Sequence, residues 1–321
     1  MKRLTLNAAK AALLVSCWFG SYALAEGPVE SSCSDDLKVS CVSKNPEVLS
    51  FRKAQISQLY KELVYPGPLA VLKDDKAAAH LFEIAGVYGR VTPVGKFTDF
   101  SGVVEYFYAL AANVHNHVYD YKINNVLADE DKVSVNVQLA FCFNTTADCL
   151  TLDTDAKNKQ TLTEIGYFVF NKQNRIIYFD LVIPNLGAAY DEKNPLKRAG
   201  VMAGMCAFLT IGHIDPITQE KVSGGTCTSY FDGKEDFGPG FLAVPNAPFL
   251  NCMTFMSTLD WGSYNRANSN TVSCRQVHML LTPLRPETHC PHVAYGGGGK
   301  CVDMPYESYY TEMNETNHDH H

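Results

Sequence analysis

Residues 270–301 read NTVSCRQVHMLLTPLRPETHCPHVAYGGGGKC and hold three histidines, three cysteines and a run of four glycines. Imidazole and thiolate are the side chains that suit borderline and soft metal ions. His289 and His292 are three apart around Cys290 and Pro291, and His278 follows Arg275 by three, a spacing that shares one helix face. Three imidazoles could hold Cu or Zn with one position open to a further ligand. The competing reading is structural: Cys274, Cys290 and Cys301 form disulfides, and His278, His289 and His292 satisfy backbone carbonyls around a tight glycine loop. No Cys-x-x-Cys pair is present, so thiolate ligation is not expected. The expectation is no cofactor, with Cu or Zn on the three histidines as the alternative. Gly296–Gly299 with Lys300 lacks the spacing of a phosphate loop, because Cys301 follows the lysine. It reads as a left-handed loop needed for a cross-link.

The compartment bears on that choice. Lys2 and Arg3 precede an apolar run through Leu13, Leu14, Val15 and Phe19, and Ala23-Leu24-Ala25 supplies a small-residue cleavage site. Residues 1–25 therefore read as a secretory signal peptide. Cys17 leaves with it. Cys33, Cys41, Cys142, Cys149, Cys206, Cys227, Cys252, Cys274, Cys290 and Cys301 remain, an even set that predicts five disulfides in an oxidising compartment. Cys142 and Cys149 flank a short loop and are expected to pair. Asn144 and Asn314 begin glycosylation triplets. The net charge of −7 becomes −10 when Lys2, Arg3 and Lys10 are removed with the leader. No basic block remains, which argues against nucleic acid and anionic membrane as partners. The expected location is secreted, outside the cell.

The elements that must position these groups follow from periodicity. A polar leader, 26–45, carries Cys33 and Cys41 and is expected to be clipped to the body by their disulfide. Helical spacing covers 46–63, about 76–84 and 101–114. Strict alternation at Val133, Val135, Val137, Leu139 and Phe141 predicts a half-buried strand. Further strands are expected near Tyr119–Ile123, over 163–170 and over 176–183. Helices followed by an antiparallel meander, each with one apolar side, predict an α+β cone with a pocket between helices and curved sheet. Residues 46–190 form that domain. A cysteine-rich helical module, 191–310, follows, with helices over 194–211, 246–259 and 271–281. The residues from 311 to 321, including His318, His320 and His321, read as a disordered tail.

Residues 48–187 resemble the nuclear transport factor 2-like, or SnoaL-like, superfamily. The likeness is carried by HLFEIAGVYGRVTPVGKFTDFSGVVEYFYAL, YDYKINNVLADEDKVSVNVQ and EIGYFVFNKQNRIIYFDLVIPNLG. Within them, Pro93-x-Gly95-x-Phe97 with Gly102 matches the family's link, and Asn171 to Ile176 matches its late hairpin. The resemblance implies a cone that takes small hydrophobic molecules for cyclisation, dehydration, isomerisation or epoxide opening, or that only binds them. It also implies a possible homodimer through the open sheet face. The paired Asp and Arg of the epoxide-opening branch are not found at matched positions. The module is similar to cysteine-rich extensions that follow such cones in secreted proteins of eukaryotic microbes.

Tyr106, Tyr108, Tyr119, Tyr121 and Phe141 are the expected pocket lining, and His115 or His117 the expected base. The primary expectation is a secreted binding protein that holds a small apolar or aromatic ligand in the cone. The alternatives are a lyase or isomerase acting in the same pocket, and an extracellular histidine-coordinated metal protein.

Overall fold

Asn45 and Pro46 open the first helix as their types dictate. The Asn45 side chain accepts from the Glu47 N–H at 2.9 Å, and the proline occupies a first-turn position whose N–H would be unused. The structure is a computed structural model that describes residues 27–113, 116–143, 159–215, 220–234 and 241–305. The residues read as a signal peptide, His115, Asn144, Asn314, the expected Cys142–Cys149 pair and the C-terminal histidines lie outside the described residues or their described side chains.

In chain order the elements are α1 (Pro46–Glu62), α2 (Pro68–Lys73), β1 (Tyr88–Thr92), β2 (Gly95–Phe97) and α3 (Phe100–Val104). A single π turn, Glu105–Ala109, continues α3 and leads to β3 (Ala112–Asn113). Then come β4 (Asn116–Asp129), β5 (Lys132–Phe143), β6 (Lys159–Phe170), β7 (Ile176–Val182) and α4 (Leu186–Tyr190). The C-terminal module holds α5 (Pro195–Thr210), β8 (Gly212–Ile214), β9 (Lys221–Ser223), α6 (Pro248–Thr258), α7 (Val272–Met279) and α8 (Pro286–Val293).

One seven-stranded sheet runs β2-β1-β7-β6-β5-β4-β3. Its long strands are antiparallel, and bulges near Tyr119 and Asn124 bend β4. Val133, Val135, Val137, Leu139 and Phe141 are buried, as their alternation requires. They face α1, α3 and the π turn in one core with Ile56, Leu59, Phe107 and Phe168. The domain is the α+β cone.

Four expectations need correction. First, β1 and β2 were not foreseen, and β1 pairs with β7 in parallel, so the sheet is not a pure meander. Their stretch is broken by Gly89, Pro93 and Gly95, and only a partner some 90 residues away makes it a strand. Second, the stretch 76–84, expected to be an α-helix, holds only a 3₁₀ turn, Asp75–His80, with the short α2 ahead of it, and the helix expected to reach 114 stops at Ala109. Third, the Cys33–Cys41 disulfide closes a loop within the leader and does not clip it to the body. Hydrogen bonds do that: Cys41 N–H donates to the Phe170 carbonyl at 2.8 Å, and the buried Arg52 guanidinium donates to the Cys41 and Glu130 carbonyls and to Asn174 Oδ1 at 2.7–2.9 Å. Fourth, beyond the three helices expected in the module a further one, α8, forms and carries Cys290. Pro286 suits its first turn, and Pro291 costs one intrahelical bond.

Three disulfides hold the module: Cys206–Cys252 joins α5 to α6, Cys227–Cys290 anchors α8, and Cys274–Cys301 ties α7 to the glycine loop. With Cys33–Cys41 these make four among the described residues, which suits an oxidising compartment. No helix among the described residues is long and apolar enough to cross a membrane. Module and cone meet where Asn265 Oδ1 accepts from the Gly187 N–H at 2.7 Å and where Tyr190 packs on Tyr264.

Candidate functional site

A cavity of about 510 Å³ lies where the open end of the cone meets the module. Leu139, Phe141 and Leu162 from the sheet and Tyr106 and Phe107 from the π turn form its inner wall. Trp261, Tyr264, Gln276, Val277, Met279 and Leu280 of the module form part of its lining. The lining is mostly apolar; Glu192 and Gln276 are half-buried in it, and one polar residue is fully buried.

That residue is Glu164. On β6 the inward phase is Leu162, Glu164 and Phe168, so period two delivers a carboxyl into the core. Glu164 is 2% exposed. Tyr60 donates to its Oε1 at 2.6 Å and Tyr106 to its Oε2 at 2.7 Å. Burial pushes the carboxyl above the ordinary carboxylate range, and the two phenol bonds offset only part of that rise. Burial and the neighbouring carboxylate push both phenols well above their usual value, so they stay protonated donors. Each carboxylate oxygen has a second lone pair. The arrangement can therefore take a proton from a bound molecule, or return one, while the phenols fix its orientation.

Of the expected lining, Tyr106 and Phe141 face the cavity. Tyr108 is fully buried elsewhere and donates to Glu62 at 3.0 Å. Tyr121 lies opposite Leu139 on the inward face but packs against Tyr60, at 6.5 Å between centroids, and does not line the cavity. Tyr119 does not line it either, because it is the extra residue at a β4 bulge. His117 is buried against the Tyr65 ring at 4.6 Å and does not line it either. Sequence reasoning missed Glu164. The signal was an acid in the inward phase of a strand.

On the other side of α7 the three histidines come together. His278 Nδ1 is 3.3 Å from His289 Nδ1 and 3.2 Å from His292 Nδ1. Thr271 caps α7 and so aims His278, while the three-residue step along α8 puts His289 and His292 on one face. Burial, then the neighbouring imidazoles, lower His278 well below the ordinary histidine value and His292 to about 4, so both are neutral near pH 7. His289 Nε2 is 3.1 Å from Glu105 Oε2, and Arg285 grips the same carboxylate with two N–H groups. Burial raises the Glu105 carboxyl, but the bonds from His289 and Arg285 prevail and hold it below the usual range. Cys274 and Cys301 lie beside His278, yet their sulfurs are spent on each other.

The chain has relatives. Residues 248–304 match the BfoA family C-terminal domain. Over 53 residues, 16% of this chain, it is 38% identical to the Aurasperone B biosynthesis cluster protein A of Aspergillus niger and to the Bifonsecin B biosynthesis cluster protein A of Aspergillus brasiliensis. The likeness spans only 17% and 18% of those proteins' lengths. Among solved structures, an LEH-like epoxide hydrolase of M. tuberculosis is 10% identical, with 42% of this chain and 84% of that chain covered and a TM-score of 0.31. A protein with a ketosteroid isomerase-like fold from Catenulispora acidiphila is 11% identical, with 40% and 82% covered and a TM-score of 0.28. In its C-terminal module, then, this chain is similar to the BfoA family C-terminal domain, and the matched stretch contains His278, His289 and His292.

Proposed function

We propose that this is an exported protein that takes an apolar, ring-bearing small molecule into the cavity and moves a proton on it with Glu164. The observation that carries the reading is the buried carboxyl held by Tyr60 and Tyr106 in the wall of a mostly apolar cavity. Burying an acid without an opposite charge is costly, and such groups cluster where a raised pKa is used. The cavity's size suits a small molecule. Relatives over a 53-residue stretch carry names from biosynthesis clusters, which agrees with action on a small product. Export is supported by the leader and the four disulfides.

Two probes test the two halves. The neutral fluorophore N-phenyl-1-naphthylamine reports uptake: it brightens with the native chain and not with Leu139→Trp, which fills the cavity. Ring opening of 5-nitrobenzisoxazole reports the base, since loss of the ring C–H proton to a carboxylate breaks the N–O bond and releases a coloured phenolate. The native chain accelerates it and Glu164→Gln does not. Equal rates for the two chains overturn the role of Glu164, and no difference in probe uptake overturns the binding pocket.

A further inference from the structure

We propose that His278, His289 and His292 form a metal site that takes a first-row divalent cation, Zn²⁺ or Cu²⁺, through their three Nδ1 atoms. Three ligands at about 2.0–2.1 Å in tetrahedral directions stand about 3.3 Å from one another. The two measured Nδ1 separations from His278 are 3.2 and 3.3 Å, and the ligand atoms of all three residues lie within 4.8 Å. Hydrogen bonding alone does not explain the arrangement well. His289 turns its Nε2 toward Glu105 Oε2 and its Nδ1 toward the centre, so three ring nitrogens of the same kind face one point. A cation at the centre satisfies all three lone pairs.

The surroundings are those of a built site. Glu105 accepts from the His289 ring N–H, the carboxylate–histidine–metal pattern that fixes tautomer and ring orientation. It is held in turn by Arg285. Glu105 belongs to the cone, whereas the ligands belong to the module, so the site sits on the seam between them. The glycine run acquires a reason: a Cβ on Gly298 would stand 2.6 Å from His292 Cδ2, and φ there is +54°. Only glycine lets the loop close over that ring. The charge near the centre is carried by Glu105 against Arg275, Arg285 and Lys300. Three protein ligands leave a fourth position for water or a small anion, the open arrangement of a reactive metal.

The test uses the full chain, purified without an affinity tag in non-reducing buffer so that Cys274 and Cys301 remain paired. The chain is dialysed against ZnCl₂ or CuSO₄ in separate arms, then against metal-free buffer, and its metal is counted. One ion per chain is expected, and it persists when His318, His320 and His321 are changed to alanine. The pair His278→Ala with His292→Ala retains none. Less than about a tenth of an ion per native chain in both arms overturns the proposal. So does an undiminished ion in the double variant. If that variant does not fold, Glu105→Gln serves: it keeps the ion but binds it about 10–100-fold more weakly. X-ray absorption of the loaded native chain reads imidazole nitrogens at about 2.0–2.1 Å, and a shell of sulfur, or of oxygen alone, overturns the assignment.

Discussion

The cavity and the histidine cluster lie on opposite sides of α7, and they hold polar groups in the interior by different means. Glu164 is placed by a long strand whose register is fixed through β5 and β7. It needs no cross-link, because a slip of one residue would turn Leu162 and Phe168 outward with it. The histidines ride on two eight-residue helices, too short to be stable alone, and disulfides to Cys227 and Cys301 fix them. A sheet can hold a single odd residue by cooperation among its neighbours. Short helices need staples, and the cysteine count of the module reflects that.

The largest expected effect separates chemistry from framework. Glu164→Gln should slow 5-nitrobenzisoxazole opening by about 10²–10⁴-fold, the usual share of a positioned base, while probe uptake stays unchanged. In the native chain the rate should rise with pH, because only the ionised carboxyl accepts a proton. Burial raises that group, so the midpoint should lie above the ordinary glutamate value of 4.5, and the variant should show no such limb. A midpoint at or below 4.5 would mean that the reacting carboxyl is not Glu164.

Next comes the staple. Replacing Cys227 and Cys290 together by alanine opens a loop of 63 residues and should cost about 4 kcal/mol, read from urea unfolding. Zn²⁺ retention should fall with it, whereas the sheet-borne Glu164 should keep its rate under native conditions. Equal losses at both sites would mean that the sheet depends on the staple as much as the short helices do.

Gly298→Ala should cost about 1–2 kcal/mol for a side chain in the left-handed region. It should also push His292 off its place and weaken Zn²⁺ retention, measured by equilibrium dialysis. The smallest effect is at a cap. Thr271→Ala removes the acceptor for the Cys274 N–H and should cost about 1 kcal/mol by urea unfolding, with little change at the cavity.

Some of this was visible in the residues themselves. Alternation from Val133 to Phe141 set both the strand and its buried face, and Asn45, Asn194 and Thr271 each cap the helix that follows them. The histidines drew attention because two are three apart and the third is near in sequence. Glu164 drew none, being one acid in the run TLTEIGYFVF. Its role depends on Tyr60 and Tyr106, 104 and 58 residues away. Tyr119 misses the pocket because a bulge cannot be read from alternation, and Tyr121 because its inward side is taken up by Tyr60, 61 positions earlier in the chain. Glu105 was equally hidden, since its partners stand 180 and 184 positions further on.

The sequence by itself determined what short-range physics controls: helix starts, strand faces, the cysteine inventory and the charge balance that disfavours nucleic acid. Tertiary structure decided everything that needs distant groups at one point. It paired β1 with β7, made Glu164 the polar centre of a mostly apolar cavity, spent the cysteines on each other and turned three imidazoles toward a common centre. The reason is that hydrogen bonds, coordination and desolvation act over a few ångströms in space, and chain separation carries no information about them once the fold has closed.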